Sequence, residues 1–109
     1  MSSDKRPAGQ PKPGFTTRQV HAGVEPDPLT GAILTPIYQT TTYVQESVDR
    51  YLAKGYSYSR SANPTVRALE QKLTDLEGGS DCICFGTGMA AINGLFLAFL
   101  SAGDHAIVS

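Results

Sequence analysis

Two short segments of the sequence carry residues suited to binding an anion. In the first, Tyr58 and Arg60 lie two positions apart, so in an extended segment both side chains point the same way. A guanidinium offers a planar fork of donors that matches phosphate oxygens, and a phenol can stack or donate a hydrogen bond. The alternative interpretation of this pair is a surface arginine beside a half-buried tyrosine, with no ligand.

The second segment is Gly86-Thr87-Gly88-Met89, which lies between a predicted strand and a predicted helix. Glycines let the backbone approach an anion closely, and the Thr87 hydroxyl can donate a hydrogen bond. The unpaired N–H groups at the start of a helix add partial positive charge. A tight strand-to-helix turn without a ligand would use the same glycines. Together, the two segments predict a site for a phosphorylated ligand.

The second segment also fits the dinucleotide-binding pattern G-x-G-x-x-A, with Gly86, Gly88 and Ala91 in its three fixed places. That pattern requires an acidic residue about 20 positions further on, and the sequence stops where this residue would stand. A dinucleotide-binding unit normally begins its domain with the strand, whereas an arm and a well-capped helix come first here. A nicotinamide-binding fragment therefore stays open as an alternative at the level of the residues.

Helices predicted from hydrophobic spacing and capping residues flank the first segment. Residues 46–53 predict a short helix that Gly55 stops. Asn63 as N-cap and Pro64 in the first turn predict a second helix, which runs to Gly78. Its apolar residues recur at helical spacing and are expected to face a core: Val66, Leu69, Leu73 and Leu76.

A strand, a helix and a second strand are predicted around the second segment. Residues 82–85 predict a buried strand, residues 87–100 a mostly buried helix, and residues 106–108 another strand. This order predicts a parallel pair of strands with a right-handed crossover. Cys82 and Cys84 are expected to be reduced core residues, since a free cysteine packs as a small hydrophobic side chain.

The fold class predicted from these elements is α/β, with three parts. Residues 1–14 are expected to be a disordered N-terminus, residues 15–62 an extended arm with a short helix, and residues 63–109 the truncated start of an α/β domain. The irregular stretch 15–44 is rich in apolar residues with nothing local to bury them, so the arm is expected to lie on another surface, such as a subunit. The whole chain is expected to be a fragment.

Composition excludes several classes of function. Nine basic and ten acidic residues give a net charge of −1, which argues against nucleic acid as a partner. The longest apolar run, residues 89–100, is shorter than the roughly 20 residues that cross a bilayer. With no secretory or transit pattern, the protein is expected to be soluble and cytoplasmic. His21 and His105 lack the spacing of metal ligands.

At these positions the chain resembles the pyridoxal-phosphate-dependent enzymes of cysteine and methionine metabolism. This family includes cystathionine γ-synthase, cystathionine γ-lyase, methionine γ-lyase and O-acetylhomoserine sulfhydrylase. The resemblance runs from Thr17 onward, and its motifs follow the family's order and spacing. They are Val20-His21-Ala22-Gly23, Thr35-Pro36-Ile37-Tyr38-Gln39-Thr40-Thr41-Thr42-Tyr43, Tyr58-Ser59-Arg60, Asn63-Pro64-Thr65, Leu69-Glu70, Leu76-Glu77-Gly78, Thr87-Gly88-Met89-Ala90-Ala91 and Gly103-Asp104-His105.

The resemblance implies an aspartate-aminotransferase-like fold (fold type I) that binds pyridoxal 5'-phosphate. It implies a homo-oligomer, a dimer of dimers, in which the arm reaches the active site of the adjacent subunit. Tyr58 and Arg60 would then contact the phosphate of the cofactor bound by that subunit. The backbone of Gly88 and Met89, with Thr87, would hold the phosphate of the chain's own cofactor. Thr87 stands where the family commonly has serine, and the hydroxyl is kept.

For activity, the resemblance implies replacement or elimination at the γ-carbon of a small homoserine-derived or sulfur amino acid, as a C–S lyase or transferase. Tyr58 would assist the proton transfers. The family's Schiff-base lysine, its aspartate at the pyridine nitrogen and its stacking tyrosine would all fall beyond Ser109, so the fragment alone is expected to be inactive. A second possibility is a truncated segment that only binds partners. Ser57 stands where relatives carry an acidic or an aromatic residue, which leaves the sub-reaction open.

Overall fold

The structure, a computed structural model, describes residues 11–108, with the side chains of Tyr51 and Lys54 left aside. An antiparallel bridge pairs Thr42 with Tyr58, and no strand forms within this range. The predicted disorder of residues 1–10 lies outside the described residues. Four helices form within them: α1 (Phe15–His21), α2 (Val48–Lys54), α3 (Pro64–Glu77) and α4 (Gly88–Phe99).

Helix α3 begins and ends where the sequence predicts. The Asn63 side chain accepts a hydrogen bond from the Thr65 N–H at 2.9 Å, and Pro64 occupies the first turn. The helix ends at Gly78, which takes the left-handed conformation with φ of 69°. The Gly79 N–H then donates to the Thr74 carbonyl at 3.0 Å. This 6→1 bond satisfies a carbonyl that the helix end would leave unpaired.

Helices α2 and α4 also form, within two residues of the predicted bounds. Gly55 follows α2 with φ of 73°, as expected of a stop signal. Thr87 is the N-cap of α4, and its hydroxyl oxygen accepts from the Ala90 N–H at 3.1 Å. At the other end, the Leu100 N–H donates to the Phe96 carbonyl at 2.9 Å. The helix predicted for residues 87–100 is therefore confirmed.

Helix α1 corrects the expectation of an irregular stretch from Phe15 to Val44. A seven-residue helix is marginal alone in water, and its N-cap, Gly14, offers no side-chain hydrogen bond. Its stability comes from docking on α3, the one helix that it contacts among the described residues. The Arg18 guanidinium donates to the Asp75 carboxylate at 2.7 Å, and the Lys12 ammonium lies 3.2 Å from the same carboxylate.

Immediately after α1, the arm passes directly over the backbone of α3. Gly23 has φ of 68°, and a Cβ placed there would lie 2.5 Å from the Ala68 carbonyl oxygen and 2.8 Å from the Lys72 nitrogen. No Cβ fits so close to backbone atoms. The glycine is therefore required both for its conformation and for the approach of the arm to α3.

The ion pair of Asp75 predicts a pH-dependent docking of α1. The hydrogen bond from Arg18 holds the pKa of Asp75 below its ordinary value of 3.8. A depressed pKa means stability that is present above the ordinary value and is lost as pH falls through the folded-state pKa. We expect Asp75→Asn to lower the free energy of unfolding by about 0.5 kcal/mol at pH 7, because the pair is partly exposed. The difference from wild type should shrink as pH falls below 3.8 and vanish below the depressed folded-state pKa.

Urea titrations at several pH values measure this difference in the full-length protein. Glu77→Gln is the matched control, because it removes the same charge from α3 at a residue without an ion pair in the described part of the chain. An equal effect of both variants at pH 7 would mean that Asp75 acts only through net charge.

The strands predicted at residues 82–85 and 106–108 do not form within residues 11–108. A strand exists only when its backbone pairs with a neighbour, and these two segments do not pair. Instead, the Cys84 N–H donates to the Glu70 carboxylate at 3.0 Å, and the Cys82 N–H donates to the Asp81 carboxylate at 2.9 Å. At Cys82 and Cys84, carboxylate side chains accept the backbone hydrogen bonds that a neighbouring strand would otherwise accept.

The expected core is also absent from the described residues, none of whose apolar side chains is buried. The side chains of Met89 and Phe99 on α4 are 71% and 77% exposed, and α4 contacts no other described helix. The radius of gyration is 17.2 Å, against about 13 Å for a compact domain of this length. An apolar helix face needs an opposing layer to bury it, and residues 11–108 do not supply one to α4.

The two cysteines are free and only partly buried, rather than core residues. Partial burial raises the pKa of the Cys84 thiol above its ordinary value. A raised pKa lowers the fraction of thiolate, which is the reactive form. The Cys84 thiol is therefore a poor nucleophile in this arrangement.

Candidate functional site

The loop that carries Tyr58 and Arg60 is held at its first residues by an earlier segment of the arm, residues 41–43. The Tyr43 N–H donates to the Ser57 carbonyl at 3.0 Å, and the Ser59 N–H donates to the Thr41 carbonyl at 2.8 Å. These two bonds flank Tyr58 and form its bridge with Thr42. The arm thus fixes the backbone of Tyr58 without using its phenol.

After Tyr58 the chain turns sharply and brings Arg60 back over the tyrosine ring. The Tyr58 carbonyl accepts from the N–H groups of Ser61 and Ala62 at 3.0 and 3.1 Å. The guanidinium carbon of Arg60 lies 5.1 Å from the centre of the Tyr58 ring, a cation–π contact. Neither the guanidinium nor the phenol hydroxyl has a hydrogen-bond or ion-pair partner among residues 11–108. Both groups are available to a ligand.

Asn63 connects this loop to the arm and to α3 at the same time. While its Oδ1 caps the helix, its Nδ2 donates to the Tyr38 carbonyl at 2.9 Å and to the Ser59 hydroxyl at 3.1 Å. Thr65 adds two bonds to the same part of the arm: its hydroxyl donates to the Pro36 carbonyl at 3.0 Å and accepts from the Tyr38 N–H at 2.9 Å. The first turn of α3 therefore anchors residues 36–38.

Asp27 organises the arm further upstream and is its one buried residue among those described. Its carboxylate accepts from the Thr30 hydroxyl at 2.7 Å, from the Thr30 N–H at 2.8 Å and from the Tyr38 hydroxyl at 3.3 Å. The hydrogen bond from the Thr30 hydroxyl is the largest of several that hold the pKa of Asp27 below its ordinary value. Burial beside this carboxylate raises the pKa of Tyr38. In the sequence, Asp27-Pro28 is a turn signal, and nothing there predicts the bond from Tyr38.

The start of α4 presents a compact set of donors. The Thr87 hydroxyl accepts from Ala90, which leaves its own hydrogen free to donate. The N–H groups of Gly88 and Met89 lie in the first turn and have no acceptor among the described residues. Nothing lies within 4 Å of a Cβ built at Gly86 or Gly88, so an anion can approach this backbone. These features fit a phosphate group.

Side chains of α3 hold the segment that leads into this helix start. Glu70 bonds the Cys84 N–H with one carboxylate oxygen, while its other oxygen accepts from Arg67 at 3.2 Å. The same Arg67 nitrogen donates to Asp81 at 2.9 Å. Next, the Phe85 ring covers Gly94 of α4, where a Cβ would lie 2.8 Å from the ring. The approach from residue 81 to α4 is thereby fixed.

The structure groups the predicted site residues in two places. Tyr58 and Arg60 are in contact, and Thr87, Gly88 and Met89 share the first turn of α4 or its cap. No hydrogen bond, ion pair or ring contact joins the two groups within the described range. Each group presents its donors independently in this chain.

The Thr87 hydroxyl is expected to affect both the stability of the protein and its binding of a ligand. We expect Thr87→Val, which keeps the shape but removes the hydroxyl, to lower the free energy of unfolding by about 1 kcal/mol through loss of the cap. It should also weaken binding of a phosphorylated ligand. Thr87→Ser keeps the hydroxyl and should leave both quantities near wild type. Chemical unfolding and ligand titration of the full-length variants measure the two effects; equal behaviour of valine and serine would contradict this role.

Metal and membrane sites find no support in the described residues. No group of three or more histidine, cysteine, aspartate or glutamate side chains in that part of the chain could hold a metal ion. Among residues 11–108, every helix is too short or too polar to cross a bilayer.

Comparison with known proteins gives one consistent result. The profile of the family described as Cys/Met metabolism PLP-dependent enzyme matches residues 16–109. A cystathionine beta-lyase of Coxiella burnetii is 48% identical over 97 residues, which are 89% of this chain and 24% of that protein. A probable cystathionine gamma-synthase of Herpetosiphon aurantiacus is 47% identical over 94 residues, 86% of this chain and 28% of that protein.

Solved structures agree with the sequence comparison. The crystal structure of metB from Corynebacterium glutamicum superposes with a TM-score of 0.78 at 48% identity, covering 85% of this chain and 24% of that one. The chain therefore spans about a quarter of the length of the relatives it matches.

Proposed function

Because this chain belongs to the Cys/Met metabolism PLP-dependent enzyme family, we propose that it supplies the arm and phosphate-binding elements of a trans-sulfuration enzyme. The observation that carries the proposal is the start of α4, where the free N–H groups of Gly88 and Met89 lie beside the Thr87 hydroxyl. The fold is that of a fragment of a fold type I domain, as expected. A nicotinamide cofactor has no support in this family.

Pyridoxal 5'-phosphate is the cofactor of the family. When bound, it supplies an electron sink for the substrate's α-carbon. In our proposal the N–H groups of Gly88 and Met89 and the Thr87 hydroxyl bind its phosphate, because donors at a helix N-terminus complement that charge. Arg60 adds a fork of charged donors, and the Tyr58 hydroxyl holds or moves a proton of the substrate.

We propose that Tyr58 and Arg60 act in the site of an adjacent subunit of a homo-oligomer, a dimer of dimers. Two observations support this arrangement. The arm exposes many apolar side chains, a property typical of interaction surfaces. In addition, no hydrogen bond, ion pair or ring contact joins the pair Tyr58–Arg60 to the start of α4 in the described part of its own chain. The free cysteines support a reducing compartment, the cytoplasm.

For the reaction, we propose replacement or elimination at the γ-carbon of a homoserine-derived or sulfur amino acid. The relative named as a cystathionine gamma-synthase supports it. A second candidate is β-elimination from cystathionine, favoured by the relative named as a cystathionine beta-lyase. Ser57 carries no charge, so it does not select between substrates with different distal groups by an ion pair.

The experiment that tests the cofactor is titration of the full-length apoprotein with pyridoxal 5'-phosphate and, separately, with pyridoxal. We expect the phosphorylated compound to bind at least 100-fold more tightly and to give the visible absorption of a bound cofactor, since several charge-assisted bonds go to phosphate. A protein that stays colourless, or that binds both compounds equally, would refute the proposal.

Product analysis decides between the two reactions. Incubated with cystathionine, a γ-lyase releases cysteine, 2-oxobutyrate and ammonia, whereas a β-lyase releases homocysteine, pyruvate and ammonia. A synthase instead forms cystathionine from cysteine and an O-acylated homoserine. We expect γ-carbon products; pyruvate as the main oxoacid would assign the chain to β-elimination.

A further inference from the structure

We propose that Asn63 is a positioning residue for cofactor binding, acting through the loop that carries Tyr58 and Arg60. The inference rests on the proposed function and goes beyond it, because Asn63 itself offers no atom to the ligand: its amide is fully engaged with the protein. Its role is to hold the loop in the conformation that presents the guanidinium.

The amide of Asn63 makes more bonds than a helix cap requires. Capping of α3 uses only Oδ1, which accepts from the Thr65 N–H. The two hydrogens of Nδ2 go to the Tyr38 carbonyl and the Ser59 hydroxyl, at 2.9 and 3.1 Å. Aspartate or serine would cap the helix equally well, but neither could donate both of these bonds.

Ser59 transmits the effect because it stands between Tyr58 and Arg60. Its hydroxyl donates to the Thr40 carbonyl, so its oxygen is left to accept from Asn63. Its backbone N–H bonds the Thr41 carbonyl at 2.8 Å. The residue next to Arg60 is therefore fixed from two sides, by the arm and by the first turn of α3.

A fixed loop matters because the Arg60 side chain is exposed and long. Ordering a backbone residue costs conformational entropy. If the loop is already ordered, a phosphate meets a guanidinium attached to a rigid backbone, and binding does not have to supply that cost. If the loop is mobile, the same contacts give weaker binding.

Asn63→Asp separates positioning from capping. Aspartate keeps the acceptor for Thr65 and favours the positive end of the helix dipole, so α3 should retain its stability. The lost Nδ2 is replaced by a carboxylate oxygen, which cannot donate to the Tyr38 carbonyl. Asn63→Ser also keeps a capping oxygen and adds no charge, which shows whether repulsion between carboxylate and phosphate contributes.

The test is a double-mutant cycle on the full-length apoenzyme, with the dissociation constant of pyridoxal 5'-phosphate as the readout and urea unfolding as the check on the fold. The proteins are wild type, Asn63→Asp, Arg60→Ala and the double variant. We expect Asn63→Asp and Asn63→Ser each to weaken binding about 10-fold in a protein that still unfolds in one cooperative urea transition. In the Arg60→Ala background, Asn63→Asp should have no further effect, because it acts through Arg60. Gln71→Glu, the same amide-to-acid change at an exposed position of α3, should leave binding unchanged.

Three results would overturn the inference. Additive effects in the double variant would mean that Asn63 affects the cofactor independently of Arg60. Wild-type affinity in both Asn63 variants would mean that the loop needs no positioning. In both cases the proposed function stands, since Arg60→Ala still weakens binding. If Arg60→Ala itself leaves binding unchanged, the assignment of the loop to the phosphate fails together with the inference.

Discussion

Replacing Arg60 with alanine is expected to weaken binding of pyridoxal 5'-phosphate to the full-length enzyme by about 30-fold, or about 2 kcal/mol. This is the usual contribution of a hydrogen bond to a charged group. The guanidinium has no ion pair among the described residues, so its removal should break no contact other than the stacking on Tyr58. The loss should therefore appear in cofactor binding rather than in stability. Equilibrium titration of the apoenzyme and urea unfolding measure the two quantities.

Two controls sharpen this result. Arg60→Lys keeps the charge but not the planar fork, and should lose only part of the affinity. Pyridoxal, which lacks the phosphate, should bind wild type and Arg60→Ala with similar affinity. Equal affinity of wild type and Arg60→Ala for pyridoxal 5'-phosphate would show that this arginine does not bind the phosphate.

A mixing experiment shows which subunit Arg60 serves. Variants Arg60→Ala and Thr87→Val are each expected to lose cofactor affinity. If the arm crosses to the neighbour, a mixed dimer has one site with both defects and one site with neither, so the mixture recovers tight binding at some sites. No recovery in a verified mixed oligomer would mean that both groups serve the same chain.

Gly23→Ala is expected to destabilise the protein by about 3 kcal/mol, the largest of the stability effects described here. Two causes add: an L-residue in the left-handed region costs about 1–2 kcal/mol, and overpacking against a neighbour costs about as much again. The neighbour is the backbone of α3, whose Ala68 oxygen would lie 2.5 Å from the new Cβ, so a rotamer change cannot relieve the clash. Urea unfolding and hydrogen exchange of the α1 amides should both report the loss.

Gly31→Ala is the matched control for this substitution. Gly31 has φ of 71°, close to the 68° of Gly23, but nothing lies within 4 Å of its added Cβ. It should lose only the conformational part, about 1 kcal/mol. The difference between the two variants measures the close approach of the arm to α3. Equal losses of stability in the two variants would show that the close approach of the arm to α3 does not contribute to the effect of Gly23→Ala.

Local signals predicted the helices well because their causes are local. In α3, Asn63 is the N-cap, Pro64 follows it and Gly78 ends the helix in the left-handed conformation. Each of these residues acts within one or two turns of the helix. Helix α1 was missed because its stability comes from docking on α3, where its partner Asp75 lies 57 residues away along the chain. The strands at 82–85 and 106–108 were predicted wrongly as elements of this chain, since a strand is defined by a partner that residues 11–108 do not provide.

The candidate site likewise contains features that the sequence predicts and features that it does not. The placement of Thr87 at the start of α4 follows from sequence spacing. The stacking of Arg60 on the Tyr58 ring does not, because a turn replaces the extended segment that the spacing assumes. The role of Asp27 does not, because its bond to the Tyr38 hydroxyl spans a loop whose path the sequence leaves open. The second role of Asn63 has one signal in the sequence: an asparagine carries two donors that capping alone does not use.

The proline that follows Asn63 has a chemical consequence for the lifetime of the protein. Asparagine in ageing proteins turns into aspartate when the backbone nitrogen of the next residue attacks the side-chain amide and closes a cyclic imide. Pro64 has no N–H, so this reaction cannot proceed at the start of α3. The residue that fixes the helix start is thereby protected from slow, spontaneous conversion to its own acid.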